Sequence, residues 1–253
     1  MYEGKKVVVV GGTHGIGRTT VELLVRGGAE VVLTGRSEET VAAAAQELGE
    51  RAHGLRSDVT SMTDVDALAA FARERLGSVD FLFVNAGCAI GAPIAQTSEE
   101  VYDRTFAVNA KGVFFTVQRL LPLIPDGGSI VVTTSIANES GVPAMGAYAG
   151  SKAAARAFVK VLAAELLPRR IRVNAMSPGF IETPSMGLTD APAELRAALA
   201  GMGDQLTPMR RHGTPEEAAN AVLFLAFYAT FTTGAEIVVD GGRSQRLTPP
   251  QQQ

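Results

Sequence analysis

Short, nearly unbroken runs of Val, Ile and Leu alternate along this chain with longer segments of helical periodicity, and that alternation leaves few folds open. The runs fall at Lys5–Val10, Glu30–Thr34, Phe81–Asn85, Ser129–Ser135, Arg172–Ser177 and Glu236–Asp240, with a shorter one near His53–Ser57. A strand with one wet face alternates apolar and polar residues, whereas a continuous apolar run is expected of a strand covered on both faces. Helical patterns occupy 15–27, 38–49, 62–76, 98–121, 147–167, 191–205 and 215–227. Strands and helices alternating in this way imply right-handed crossovers onto a parallel sheet. The expected fold class is α/β, a single-domain doubly wound parallel sheet of about seven strands flanked by helices. The domain is expected over residues 1–243, with a polar, loose tail at 244–253. Residues 183–211, rich in Ala, Met, Pro and Gly, fit the alternation poorly and have the length of a small helical lid.

Composition narrows the partners. A net charge of −3 gives no electrostatic case for nucleic acid or an anionic membrane, and no apolar run reaches the roughly 18–20 residues of a membrane span. The basic run Arg169-Arg170-Ile171-Arg172 reads as a solvated turn before a strand. Cys88 is the only cysteine, which excludes an internal disulfide and leaves a small buried thiol as its simplest role. His14, His53 and His212 are scattered without ligand spacing, so no metal is expected. The first strand begins by Lys5, leaving no room for a signal peptide, and a cytoplasmic location is the expectation.

The first strand runs directly into Gly11-Gly12-Thr13-His14-Gly15-Ile16-Gly17 and then a helix. Gly11 allows a tight exit from the strand, Gly15 lets backbone approach a pyrophosphate, and Gly17 permits close helix–sheet packing. The amides at the helix N-terminus then face the anion. With a strand before it and a helix after it, this turn predicts a dinucleotide site on a Rossmann-type sheet. The end of the second strand meets the adenosine ribose, where an acid would accept from the 2′-hydroxyl. This chain has Gly35 there, followed by Arg36, whose guanidinium suits a 2′-phosphate. NADP(H) is therefore favoured over NAD(H).

Tyr148 and Lys152 are four residues apart, hence one turn apart on one helix face. A phenol titrating at about pH 10 is a poor acid–base group, and a neighbouring ammonium, with the positive field of an oxidised nicotinamide, is expected to stabilise its phenolate and lower that value.

Together, Gly11-x-x-x-Gly15-x-Gly17 and Tyr148-x-x-x-Lys152 resemble the short-chain dehydrogenase/reductase family, closest in look to its NADP-dependent carbonyl reductases. Val10 stands where the family often has Thr, and Val84 where its Asn-Asn-Ala-Gly motif has the first Asn. The resemblance implies catalytic roles for Asn109, Ser135, Tyr148 and Lys152: Tyr148 as general acid–base, Ser135 on the substrate oxygen, Lys152 on Tyr148 and the nicotinamide ribose, Asn109 holding a relay water. It implies cofactor contacts at Thr13, His14, Ile16, Asp58, Val59, Asn85, Ala86, Gly87, Pro178, Gly179, Ile181 and Thr183. His14 occupies a position where NADP-using relatives often carry Lys or Arg. Asp58 has a rival reading as a helix N-cap.

Met145, Phe180 and Met186 are candidate substrate contacts, with Ile90, Ile136 and Val142 beside them, and their apolar character suits a hydrophobic ketone or alcohol. The implied reaction is NADPH-dependent reduction of a small-molecule carbonyl compound. A 3-oxoacyl-carrier reductase, or an alcohol dehydrogenase working in the oxidative direction, is the alternative. The loop 121–128 has no basic residue for an acidic carrier protein, which favours a free carbonyl compound. A silent nucleotide sensor would have lost Tyr148, Lys152 or Ser135, and none is lost. The resemblance also implies a homotetramer, or a homodimer, to which the apolar stretch Ala221–Phe231 would contribute unless it is intrachain core.

Overall fold

A computed structural model describes residues 1–184, 201–245 and Leu247. The strands are β1 (Lys6–Val10), β2 (Glu30–Gly35), β3 (Ala52–Arg56), β4 (Phe81–Val84), β5 (Ser129–Thr133), β6 (Arg172–Pro178) and β7 (Glu236–Val239). They form one seven-stranded sheet in the order β3-β2-β1-β4-β5-β6-β7, and every pairing is parallel. The helices are α1 (Gly15–Arg26), α2 (Glu38–Leu48), α3 (Met62–Leu76), α4 (Glu99–Phe106), α5 (Val113–Leu120), α6 (Gly146–Glu165) and α7 (Pro215–Leu223), with residues 201–206 also helical. The order reverses between β1 and β4, where neighbouring crossovers depart in opposite directions and open a crevice at the carboxyl edge.

Two cores result, one on each face of the sheet. One gathers Val8, Leu82, Ile130 and Val173 with the inner sides of α3, α5 and α6; the other gathers Val7, Val9, Phe83 and Met176 with α1 and α7. Each strand thus contributes alternate residues to opposite apolar layers, the reason its sequence does not alternate.

Four sequence expectations need correction. The 98–121 segment is not one regular helix: a π-helical turn over Ala107–Gly112 separates α4 from α5. The 215–227 segment likewise leaves α-helical register at Leu223 and continues as a π turn over Phe224–Tyr228. Strand β5 ends at Thr133, so Ser135 begins a 3-10 turn two residues beyond it. The basic run is not merely a solvated turn. Arg169 donates to the carbonyls of Leu121 and Ile124, and Arg172 to those of Leu225, Ala226 and Ala229, so both tie down chain ends that lack helical partners.

Within Ala221–Phe231 the roles divide. Phe227 packs on Tyr2 and Phe81, while Phe224, Tyr228 and Phe231 face solvent. The loop 121–128 precedes β5 and lies at the amino edge, roughly 20 Å along the strand from Ser135. Within one chain its lack of basic residues therefore says little about what enters a site at the carboxyl edge. Among the described residues no helix is long and apolar enough to cross a membrane, and no cluster of metal-ligating side chains occurs.

Candidate active site

The glycine turn is built by close backbone approach. A Cβ on Gly17 would lie 2.0 Å from the Gly11 carbonyl oxygen, and one on Gly11, whose φ is +81°, would lie 2.8 Å from the Ala86 nitrogen. Asn85 Nδ2 donates to the Gly11 carbonyl (3.1 Å) while its Oδ1 accepts from Thr133 Oγ1 (2.9 Å), so Asn85 ties the turn to β5. The first turn of α1 has no side-chain cap and no acidic residue. Its amides and the positive end of its dipole are thus left for an anion, and the turn fits a pyrophosphate.

Several other candidate cofactor residues lie against the turn, while Asp58 and Val59 lie at the start of the β3–α3 connection. A Cβ on Gly35 would meet Thr13 at 2.6 Å, placing the end of β2 against the turn. Arg36 and His14 are exposed on this edge; Arg36 has no hydrogen bond or ion pair among the described residues, and His14 Nδ1 lies 3.1 Å from Thr13 Oγ1. A Cβ on Gly15, whose φ is +54°, would meet Thr183 Cγ2 at 3.0 Å, so the segment after β6 returns over the turn. Ile16 and Ile181 are buried, and the latter bridges Gly213. Pro178 closes β6, and Gly179 packs tightly on Asp240. Asp58 accepts from Thr60 N and Oγ1, whereas Ser61 caps α3, so Asp58 is not the helix cap. Val59 is buried against Gly112 of the π turn.

At the start of α6 the four candidate catalytic side chains converge. Lys152, only 3% exposed, donates from Nζ to the Thr133 carbonyl at 2.8 Å. Burial pulls its pKa down to about 8. A Cβ on Gly87 would stand 3.2 Å from Lys152 Nζ and 3.3 Å from Asn109 Oδ1, so a larger residue there would crowd both. Tyr148 lies a turn before Lys152, with the Ser135 hydroxyl close enough to favour its phenolate. Burial raises its pKa, the Ser135 hydroxyl opposes that rise, and the nearby Cys88 thiol adds to it. In the protein without its cofactor desolvation dominates, so the lowering expected of Lys152 together with an oxidised nicotinamide concerns the cofactor-bound enzyme.

Asn109 sits in the π turn, and that altered register aims it at the β4–α4 loop. Its Oδ1 accepts from Cys88 N (2.9 Å); its Nδ2 donates to the Cys88 carbonyl (2.8 Å) and to Ser151 Oγ (3.0 Å). Both amide protons are taken, so a water held by this side chain would have to donate to it. Cys88 itself is buried, as a small core thiol should be.

On the substrate side, Met145 precedes α6 and packs near Gly91, Ile90 and Ile136 are half-buried, and Val142 is exposed. Phe180 has partners that the sequence did not suggest. Its ring meets His212 edge-on at 5.7 Å, and the Arg243 guanidinium lies 4.9 Å above it. His212 in turn contacts Asp204 at 2.7 Å. No local pattern joins residues so far apart in sequence. Met186 and much of the expected lid lie outside the described residues.

Comparison with known proteins agrees with this geometry. Residues 10–244 match a family model described as enoyl-(acyl carrier protein) reductase. The chain is 38% identical over 245 residues to a cyclopentanol dehydrogenase of Comamonas testosteroni, covering 94% of this chain and 96% of that protein. It belongs to the short-chain dehydrogenase/reductase family. This short-chain dehydrogenase/reductase is also 36% identical over 244 residues to a 2,5-dichloro-2,5-cyclohexadiene-1,4-diol dehydrogenase of Sphingobium indicum, covering 94% and 96% of the two. Among solved structures it resembles a glucose/ribitol dehydrogenase from Brucella melitensis, with a TM-score of 0.89, 36% identity and coverage of 96% and 97%. It is accordingly an oxidoreductase acting on alcohols or ketones with a nicotinamide cofactor.

Proposed function

We propose that this short-chain dehydrogenase/reductase reduces a small, apolar ketone to its secondary alcohol with NADPH, Tyr148 serving as the acid. The observation that carries this reading is the buried Lys152 ammonium, fixed on the Thr133 carbonyl one helical turn from the Tyr148 phenol and two residues from Ser135 along the chain. When bound, the nicotinamide exchanges a hydride with the substrate's carbonyl carbon.

The chain's own residues do the rest. The Tyr148 phenol, held above its usual pKa by burial, is protonated at neutral pH and ready to donate to the carbonyl oxygen. The Ser135 hydroxyl hydrogen-bonds that oxygen and shares its developing charge. Lys152 stabilises the phenolate left behind and would hold the nicotinamide ribose. Asn109, gripping the Cys88 backbone and Ser151, keeps the β4–α4 loop and α6 in register and would hold the water through which Tyr148 regains its proton. Gly11, Gly15 and Gly17 would cradle the pyrophosphate, and Arg36, free of any protein partner among the described residues, would hold the 2′-phosphate.

Relatives named for cyclopentanol and for a chlorinated cyclohexadiene diol favour a second reading, oxidation of a cyclic secondary alcohol at the same site. The exposed Phe224, Tyr228 and Phe231 support assembly into a homotetramer.

Cyclic and aryl ketones, followed by NADPH consumption, test the chemistry. Tyr148→Phe should bind NADPH as the wild type does and lose turnover by about a thousandfold. Undiminished turnover would remove Tyr148 from the mechanism.

A further inference from the structure

Glu236, the first residue of β7, turns its carboxylate toward α6, and its side chain is only 9% exposed. Its Oε1 accepts from Thr134 Oγ1 at 2.5 Å and from Asn138 Nδ2 at 2.8 Å. Its Oε2 lies 2.8 Å from Arg156 Nε, a close ion pair rather than an aligned hydrogen bond. Arg156 also pairs with Glu139.

The placement of these partners is what matters. Thr134 and Asn138 bracket Ser135, so one carboxylate oxygen grips both ends of the short segment that presents the serine. Tyr148, Lys152 and Arg156 are spaced by four on α6 and share one face. The other oxygen therefore grips the helix that presents the phenol, two turns below it. β5 stops at Thr133, and its pairing to β6 ends one residue on, with the Thr134 amide on the Met176 carbonyl; Ser135 Oγ accepts the local Ala137 amide. Through Arg156, which also holds Glu139 just past the segment, the Glu236 carboxylate links Thr134 and Asn138 to α6, beside the direct packing of residues 136–138 on that helix.

We propose that Glu236 is a positioning residue, whose carboxylate sets the distance between Ser135 and Tyr148 by tying the serine's loop to the phenol's helix. The proposal rests on the reading of Ser135 and Tyr148 given above, but it concerns their geometry in the free protein. A misplacement of about 1 Å at such a contact is enough for losses of about a hundredfold in kcat.

The test reads Tyr148 directly in the free protein. Alkaline titration of the ultraviolet phenolate band, with the Tyr148→Phe trace subtracted, isolates this one tyrosine. Ser135→Ala should move that titration to higher pH, because a hydroxyl that favours the phenolate is removed. Glu236→Ala should move it the same way, and the double variant no further than either alone. Asn138→Ala, which removes one grip from a part-exposed loop, should give a smaller shift in the same sense and covers the case in which Glu236→Ala does not fold. Glu236→Gln, which keeps an acceptor for Thr134 and Asn138, should titrate near the wild type. With the best ketone, Glu236→Ala should lower kcat by about ten- to a hundredfold and leave the KM for NADPH unchanged.

A wild-type titration in both Glu236→Ala and Asn138→Ala would overturn the proposal, as would additive shifts in the double variant. If the titrations shift as expected but no ketone or alcohol turns over, the proposal stands and the reading of the reaction fails.

Discussion

Apart from α5, which continues directly from the π turn, the helices α1–α7 begin in two ways. Those at α2, α3, α4 and α7 are closed by Ser37, Ser61, Ser98 and Thr214, each accepting a backbone amide of its first turn, and each helix has acidic residues in that turn. Thr214 and Glu217 complete a reciprocal capping box. Those at α1 and α6 start from His14 and Met145, with no side-chain cap and no acid. A cap contributes about 1 kcal/mol, so two are forgone. Both uncapped ends open on the carboxyl edge where the glycine turn and Tyr148 lie. On the proposed function, the contrast separates helix ends closed by their own side chains from the α1 end, whose amides would take the cofactor's pyrophosphate.

Substitutions can break or sharpen that contrast. The largest effect is expected from Gly17→Ala, because its Cβ would fall 2.0 Å from the Gly11 carbonyl, backbone against backbone. Stability measured by urea unfolding should fall by about 3 kcal/mol, and calorimetry should show NADPH binding lost. Next comes Arg36→Ala, which should weaken NADPH by about 2 kcal/mol, roughly thirtyfold in Kd, and leave NADH almost unchanged. Equal losses for both cofactors would remove Arg36 from the 2′-phosphate. Smallest is a pair that trades the two kinds of helix end. Thr214→Ala should cost about 1 kcal/mol of stability without altering cofactor affinity. His14→Asp should stabilise the free protein by about 0.5 kcal/mol, since an acid suits that helix end, while weakening NADPH.

Much of this was legible in the sequence, for identifiable reasons. The strands show because both faces of each are apolar, and the glycine turn shows because its spacing has a steric cause at Gly17. The Tyr148–Lys152 spacing carried over directly, since both lie within one regular helix. The π turn at Asn109 did not show: apolar periodicity reports which face is buried, not whether one residue has been added to the hydrogen-bond register. The apparent solvation of Arg169 and Arg172 failed for another reason, because their carbonyl partners come from chain segments more than forty residues away. The pKa of Tyr148 also needed the structure, since spacing supplies the nearby lysine but not the desolvation that raises it.

The central claim, that the uncapped end of α1 holds the cofactor, is tested most directly by backbone hydrogen exchange with and without saturating NADPH. New protection is expected at residues 11–18 and around 85–88, with little change at the capped starts of α4 and α7. Unchanged exchange at residues 11–18 under saturating NADPH and NADH alike would contradict it.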